Sequence, residues 1–415
     1  MHESVGAAVN EARQWDRLMA MARLGAIPQD GVNRPCLTPL DREARRLLIG
    51  WAAEAGAVAS IDAAANLFLH RPGTDPAAAP VLTGSHMDTQ PAGGRFDGIY
   101  GVIAGLEVLA ALQDIGTRTL APVEVVAWTN EEGGRFAPGC MGSMAWAGLL
   151  PLSTWADTLD PDGIRFADSL AAHLAAESDI PRRPLGFRPA AYVEAHIEQG
   201  PVLETEGLDI GVVTGIQGSR WFSVTLTGES AHAGTAPLRL RRDAVQDMLR
   251  AITALNALTH DPDDVMRFTV ARIVVAPNTS NSVAEQVTFS IDLRHPDRAV
   301  LLRVGDAIAP TIQGAISTCD MAITERFHAM PANFDAGIIG LIEGEAAALG
   351  LGHRRMASGA FHDAQFVVPV APTGMIFVPS RRGISHNPAE YTAPAQLAAG
   401  TRVLARAIAR LADFR

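Results

Sequence analysis

The stretch Val81-Leu82-Thr83-Gly84-Ser85-His86-Met87-Asp88 decides the expected fold, because a short apolar run ends in a loop with polar, reactive side chains. Val81 to Gly84 is typical of a buried strand. Gly101 to Leu112 has the pattern of a helix, and Val123 to Trp128 has that of another strand. Strands that alternate with helices in this way predict an α/β sheet with parallel members.

Outward from this stretch, the pattern predicts two domains. Residues 4–24 and 41–54 are expected to be helices. From residue 335 onward, helices again alternate with a strand of the α/β type. Between them, strands 221–227, 268–275, 286–293 and 321–326 alternate with helices 242–258 and 300–316, which predicts a β-α-β-β-α-β unit. We therefore expect a mixed-sheet α/β domain, residues 1–216 and 332–415, with an inserted α+β (ferredoxin-like) domain, residues 217–331.

Composition excludes several classes of protein. Apolar residues are 48% and charged residues 19% of the 415 residues, which is too apolar for intrinsic disorder. The net charge of −11 argues against nucleic acid as a partner. No run of about 18 uncharged apolar residues predicts a membrane span, and no secretory signal is recognised. Three cysteines without a Cys-x-x-Cys pair predict reduced thiols in a cytoplasmic protein.

Candidate metal ligands follow several of the strand patterns. Taken singly, each has an ordinary structural explanation: His386 as a loop histidine, for example, or Glu131-Glu132 as a solvated acidic pair. His86-x-Asp88 is more informative, because a carboxylate two residues on can hold the second imidazole nitrogen. In open α/β sheets ligands bind at the carboxyl ends of strands. The combination therefore favours a divalent metal site, and the cysteine pattern of structural zinc is absent.

Four motifs carry a family resemblance, and they occur in the right order along nearly the whole chain. The sequence resembles the M20-type metallohydrolases and, within them, the N-carbamoyl-amino-acid hydrolases, β-ureidopropionases and allantoate amidohydrolases. The His-Ile-Glu-Gln-Gly motif is specific to this group, since ordinary M20 peptidases do not carry it. The matching segments are residues 84–98, 130–136, 194–201 and 377–386.

The resemblance implies two divalent metal ions per subunit, which zinc, manganese, cobalt or nickel would suit. The implied ligands are His86 and His196 on one ion, Glu132 and His386 on the other, and Asp97 bridging both. Asp88 is then expected to orient His86, and Glu131 to act as the general base. A cis peptide bond is expected after Asp97.

The resemblance also implies the residues that meet the substrate. It implies that residues 1–216 and 332–415 form the catalytic domain with the two metals and that residues 217–331 form a lid and dimerisation domain. Within the latter, His232 matches a lid histidine that reaches the partner's active site in a homodimer, and Arg294 matches an arginine that binds the substrate carboxylate. Gln199, Asn281 and Gly359 match substrate-binding positions. Phe361 departs from the small residue expected there. For Arg220, Arg381 and Arg382 there are two interpretations, contact with an anion and exposure to solvent, and exposure is preferred for each.

The function expected from these residues is hydrolysis of a small substrate that carries a carboxylate. The first hypothesis is an enzyme that cleaves the ureido C–N bond of an N-carbamoyl-L-amino acid or N-carbamoyl-β-alanine to amino acid, CO2 and ammonia. Allantoate amidohydrolase is the alternative. An M20 exopeptidase or aminoacylase and an inactive binding module are further alternatives, the last disfavoured because every implied ligand is present.

Overall fold

The computed structural model describes residues 2–413, which fold into two compact units. The first unit joins the chain up to Gly215 with the chain from Asn333 onward, and the second is Ile216–Ala332. These bounds lie one residue from the expected ones. Among the described residues, no helix combines the length and the apolar character needed to cross a membrane.

The elements are numbered in chain order. The helices of residues 2–413 are α1 His2–Ala8, α2 Glu11–Arg23, α3 Pro39–Glu54, α4 Ile99–Asp114, α5 Met141–Trp146, α6 Phe166–Ala176, α7 Val202–Glu206, α8 Ala244–Leu258, α9 Arg298–Ala315, α10 Ala336–Ala348, α11 Ala364–Val367 and α12 Pro394–Asp413. The strands are β1 Ala26–Ile27, β2 Gly31–Val32, β3 Val58–Ile61, β4 Leu67–Arg71, β5 Val81–His86, β6 Val123–Trp128, β7 Ala191–Ile197, β8 Ile210–Ile216, β9 Gly218–Thr227, β10 Ala231–His232, β11 Arg267–Ala276, β12 Ser282–Val283, β13 Gln286–His295, β14 Asp320–Ala329, β15 Ala332–Asn333, β16 His353–Ser358 and β17 Thr373–Val378.

A large mixed sheet forms the centre of the first unit. Its strands follow the order β15-β8-β17-β7-β5-β6-β4-β3, and β16 pairs with β8. The central strands β17, β7, β5 and β6 are parallel and completely buried. Helix α4 is buried along nearly its whole length and packs against β5. Because these elements are covered on every side, most of their residues are apolar, and buried charges such as Glu107 and Glu194 have partners within the fold.

The second unit is an antiparallel sheet covered by two helices. Its chain order is β9, α8, β11, β13, α9 and β14, and its sheet order is β11-β13-β9-β14. This is the predicted β-α-β-β-α-β pattern. The alternation along β9 follows from one face packing on the helices, with Phe222, Val224 and Leu226 buried and Trp221 exposed.

The mixed α/β fold is confirmed, and two details differ from the prediction. The helix expected over residues 4–24 is two helices, because the side chain of Asn10 accepts the backbone N–H of Arg13 and caps α2. Strands β3, β4, β8 and β16, and the two-residue strands β1, β2, β10, β12 and β15, have no counterpart in the prediction. Strand β16 has the sequence HRRMAS and pairs with β8 alone in the sheet path, so it lacks the apolar run typical of a central strand.

Candidate metal centre

The carboxyl ends of four neighbouring strands meet at one edge of the large sheet. His86 is the last residue of β5, and His196 lies at the end of β7. Glu131 and Glu132 follow β6, and His386 follows β17. Because these strands are parallel neighbours, their ends lie side by side, at the position where open α/β sheets bind ligands. The fold thus gathers polar side chains from four separate segments of the chain.

Asp97 stands between two groups of candidate ligands. Its Oδ1 lies 3.2 Å from His196 Nε2 and 3.7 Å from His86 Nε2. Its Oδ2 lies 3.3 Å from His386 Nε2, which is 3.2 Å from Glu132 Oε2. Within each group the ligand atoms lie within 4.8 Å of one another. Imidazole nitrogens and carboxylate oxygens at such spacing suit a divalent ion, and the shared carboxylate suits a pair of ions.

Backbone carbonyls orient two of the imidazole rings. Nδ1 of His86 lies 3.0 Å from the carbonyl oxygen of Asp88, and Nδ1 of His196 lies 2.9 Å from that of Ile197. A carbonyl oxygen can only accept, so Nδ1 carries a hydrogen, and when the ring is neutral Nε2 presents its lone pair towards Asp97. Asp88 therefore orients His86 through its backbone carbonyl oxygen and not through the carboxylate that the motif predicts. Its carboxylate is 3.8 Å from His86 Nδ1, and its backbone carbonyl holds the ring.

The carboxylate of Asp88 holds the loop that carries the two glutamates. It accepts the backbone N–H groups of Glu131 and Glu132, each at 3.2 Å. The glutamate side chains then diverge: Glu131 Oε2 lies 3.4 Å from His86 Nε2, whereas Glu132 faces His386. Gln90 donates to Glu132 Oε2 at 2.9 Å. It is not among the predicted site residues, although it stands two positions after Asp88 in the same motif.

Gly98 makes the turn that places Asp97. Its φ of 65° and ψ of −55°, with the N–H of Ile99 donating to the carbonyl of Asp97 at 2.7 Å, form a γ-turn. A Cβ at position 98 would lie 2.2 Å from the His86 ring, so the turn and the space both require glycine. The cis peptide bonds of the described residues precede Pro138 and Pro277. The expected cis bond after Asp97 is therefore wrong, because Gly98 itself reverses the chain.

The electrostatics of the site fit a bound cation. Burial raises the pKa of Asp88 to about 7 and that of Glu132 to about 8. Burial, and then the charges of Asp363 and Glu132, raise the pKa of Glu131 above its usual range. Burial also lowers the pKa of His86 to about 4, which keeps its imidazole neutral. Crowded buried carboxylates beside the neutral ring of His86 are conditions that a divalent ion relieves, so these residues fit a metal. Although burial opposes it, the carboxylate of Asp97 raises the pKa of His196 to about 9, and Asp97 also raises the pKa of His386 to about 9, so a bound ion would replace a proton on each of these rings.

A third group of possible ligands, Glu194 with His196 and His362, has a structural role instead. Glu194 accepts hydrogen bonds from Ser85 Oγ at 2.6 Å and Tyr192 OH at 3.0 Å, as well as from the backbone N–H of residue 364 at 3.1 Å. The ring of His362 packs edge-on against that of His196 at 4.4 Å. Both carboxylate oxygens are thus engaged inside the fold, so this group supports His196 from behind.

Gln199 joins the site, as the resemblance implies for a substrate-binding position. Its Nε2 donates to Asp97 Oδ2 at 2.9 Å. Because a carboxylate only accepts, this contact fixes which end of the amide is nitrogen. The other end, Oε1, is buried and has no hydrogen-bond partner. Gly359 and Phe361 lie in the loop after β16, exposed and half-buried respectively, beside His362.

His232 and Asn281 come together in the second unit. Strand β10 pairs with β12, which places His232 opposite Ser282 and beside Asn281. His232 is exposed. The N–H of Gly234 donates to His232 Nδ1 at 3.1 Å. Since Nδ1 accepts, the neutral ring carries its hydrogen on Nε2, where it can act as a donor.

The four arginines singled out from the sequence differ in exposure and in the side chains that they contact. Arg294, on β13, forms a two-pronged ion pair with Asp292 at 3.0 and 2.8 Å. Arg381 and Arg382 are exposed, in line with their interpretation. The same interpretation is wrong for Arg220, which is 5% exposed and donates to side chains on α9 and β14. It lies on the helix-facing side of β9, where burial demands an anionic partner.

Comparisons with known proteins agree with this geometry. The family model described as Peptidase family M20/M25/M40 matches residues 82–410. The chain belongs to this family. An N-carbamoyl-L-amino-acid amidohydrolase from Rhizobium meliloti is 40% identical over 412 residues, 98% of this chain and 97% of its own. The allantoate amidohydrolase of Escherichia coli (strain K12) is 36% identical, covering 98% of each chain.

A solved structure also matches the M20 chain. The crystal structure of an amidase of the hydantoinase/carbamoylase family from Burkholderia multivorans has a TM-score of 0.90 and 42% sequence identity, and the match covers 98% of each chain. The predicted family is thereby confirmed. The comparisons place amidohydrolases of N-carbamoyl amino acids and of allantoate among its relatives, which are the two activities expected from the motifs.

Proposed function

We propose that this M20 protein is a metal-dependent amidohydrolase that cleaves the ureido C–N bond of N-carbamoyl-L-amino acids. The observation that carries the proposal is the shared carboxylate of Asp97, with His86 and His196 at one oxygen and His386 at the other. His86 and His196 would hold one ion, Glu132 and His386 the second, and Asp97 both. When bound, two divalent ions would polarise the ureido carbonyl and acidify the attacking water.

Glu131 is placed for proton transfer. It lies beside the ligand groups, with Oε2 3.4 Å from His86 Nε2, yet belongs to neither group. As water adds to the ureido carbon, Glu131 takes its proton, and it returns that proton to the nitrogen that leaves when the C–N bond breaks. The carbamate that this step leaves then decomposes by breaking its own C–N bond, so that one water is consumed overall and amino acid, CO2 and ammonia are released. The adjacent glutamates thus divide the work, because Asp88 fixes both backbones and their side chains point apart.

The family resemblance extends the proposal to residues of the second unit. His232 would donate its Nε2 hydrogen to the carbonyl oxygen as negative charge develops there. Arg294 would bind the substrate carboxylate, since the ion pair with Asp292 holds its guanidinium in a defined orientation. We propose that His232 acts in the partner subunit of a homodimer, with Asn281 beside it. These proposals rest on the family resemblance, and those for His232 rest also on its exposure and on the hydrogen that its Nε2 carries.

An N-carbamoyl group fits the polar atoms at the site. A ureido nitrogen carries hydrogens, and the buried Oε1 of Gln199 is an acceptor that has no hydrogen-bond partner. Its position next to Asp97 therefore suits a donor on the substrate. The identity to N-carbamoyl-L-amino-acid amidohydrolases reaches 40%. Allantoate also carries ureido groups and a carboxylate, and the relative at 36% identity keeps it as the second candidate.

A screen of ammonia release tests the proposed function. The metal-loaded protein would be assayed with several N-carbamoyl-L-amino acids, N-carbamoyl-β-alanine, allantoate and a dipeptide. We expect ammonia and free amino acid in equal amounts from an N-carbamoyl-L-amino acid, and loss of this activity with a chelator. Higher kcat/KM for allantoate would select the second candidate. Cleavage of the dipeptide alone would refute both.

A further inference from the structure

The side chain of Glu390 joins two loops that carry candidate ligands. Glu390 is 1% exposed and lies four residues after His386. Its Oε1 accepts the backbone N–H of Phe96 at 2.9 Å and that of Asp97 at 3.1 Å. Its Oε2 lies 3.0 Å from Ser385 Oγ, which is also 2.9 Å from Asp97 Oδ2. One carboxylate therefore contacts both the main chain of Asp97 and the neighbour of His386.

The loop around Gly94 is shaped to admit this carboxylate. A Cβ at position 94 would lie 2.1 Å from Cδ and Oε1 of Glu390, so any larger residue there would collide with it. A buried carboxylate is costly unless hydrogen bonds replace its water. The two backbone N–H groups supply such bonds, and the single hydrogen of the Ser385 hydroxyl is shared between Glu390 Oε2 and Asp97 Oδ2. Conversely, these N–H groups would be buried without an acceptor if Glu390 were removed.

We propose that Glu390 is a positioning residue that sets the place of Asp97 between the two metal sites. The inference rests on the proposed function, in which Asp97 and His386 hold metal. Among the described residues, Glu390 belongs to neither ligand group around Asp97, so it acts through other residues. Through the backbone of Asp97 it fixes where both carboxylate oxygens point, and through Ser385 it contacts Oδ2. Partners of this kind change metal affinity by about 10–100-fold when they are removed.

Loss of a positioning residue should differ from loss of a ligand in the number of metal sites that it weakens. Because Asp97 serves both groups, removing Glu390 should weaken both metal sites together. Removing Glu132, which faces only His386 among the histidines, should weaken one. A purely structural glutamate should weaken neither. Glu345 is the matched control. It is buried to a similar degree, at 2% exposed, lies in the first unit and is paired with Arg406 and Arg410 on α12, away from the ligand groups.

The test is metal binding, measured on the full-length metal-free protein titrated with Mn²⁺ and separately with Zn²⁺. The variants are Glu390→Ala, Glu390→Gln, Ser385→Ala and Glu345→Ala. We expect Glu390→Ala to weaken both sites at least about tenfold. Glu390→Gln should lose less, since one oxygen can still accept both N–H groups. Glu345→Ala should lose thermal stability and bind two ions as the unaltered protein does. With excess metal, Glu390→Ala should regain part of its kcat.

Several results would overturn the inference. Unchanged affinity at both sites in folded Glu390→Ala would do so, as would loss at one site only. If Glu390→Ala does not fold, Ser385→Ala decides. It removes the hydroxyl between Glu390 and Asp97, which also accepts from Gln199 Nε2 at 3.3 Å. Metal binding should weaken severalfold with the fold intact, so unchanged affinity refutes the link. If the unaltered protein binds no metal, both the proposed function and this inference are wrong. If the unaltered protein binds two ions and the metal affinities of the variants differ from those expected, only this inference is wrong.

Discussion

Glu131 and Glu132 are adjacent in sequence, yet the structure predicts that their amide variants fail in different ways. Glu131→Gln keeps the size of the side chain and the backbone hydrogen bond to Asp88 but cannot take a proton from water. A positioned acid–base group contributes about 10²–10⁴-fold in rate. At about 1.4 kcal/mol for each tenfold change, this is a barrier about 3–5 kcal/mol higher. We expect kcat to fall by that factor while two metal ions stay bound.

Glu132→Gln should lose metal first and rate as a consequence. Glu132 Oε2 lies 3.2 Å from His386 Nε2, so the change removes an anionic ligand from the group that includes His386. Occupancy of one site should fall, and added metal should restore part of kcat. The fold should survive both changes, because each amide keeps the volume of the glutamate side chain. In addition, burial raises the pKa of both carboxyls, so the negative charges that the changes remove oppose folding of the metal-free protein.

The assay pairs elemental analysis of bound metal with kcat for each variant, and thermal unfolding of the metal-free proteins is the control for folding. If Glu131→Gln lost a metal ion while Glu132→Gln kept both, the roles would be reversed. If both variants kept normal kcat and normal metal content, neither glutamate would belong to the active site.

Three further predictions concern the second unit. His232→Ala and Glu131→Ala proteins, each inactive alone, should recover activity when refolded together, since a heterodimer holds one complete site; verified heterodimers without activity would place His232 in its own subunit. Arg294→Lys should lower kcat/KM for the acid substrate by a factor that corresponds to about 2–4 kcal/mol of transition-state binding, because the two-pronged contact to the substrate carboxylate is lost. The same change should affect a neutral amide analogue far less. Asp247→Asn should destabilise the protein by about 1–3 kcal/mol in urea unfolding at pH 7. Burial opposes ionisation of Asp247, but hydrogen bonds from the backbone N–H groups of residues 317–319 outweigh it and hold the pKa of Asp247 below its usual range. The contribution of the Asp247 carboxylate to the free energy of unfolding should therefore be present above about pH 4 and fade as the pH falls towards the folded-state pKa.

The local features of this protein could be predicted from its sequence because they depend on neighbours in the chain. Apolar runs mark β5, β6 and β17, and the change from continuous to alternating apolar residues marks the second unit near residue 217. The motifs predicted the M20 family, which the comparisons confirm. They also named His86, Asp97, Glu132, His196 and His386, which the structure brings together in two groups.

The contacts that organise the site could be read only from the tertiary structure. Glu390 reaches the backbone of Asp97 across 293 residues of sequence, and no spacing rule connects two such positions. The motif predicts that Asp88 serves His86, but the turn of the chain decides which oxygen meets the ring and leaves the carboxylate for Glu131 and Glu132. Sequence fixes which side chains are available at a strand end, because that follows from local pattern. Which hydrogen bonds form between them depends on how distant loops pack, and that is decided by the fold as a whole.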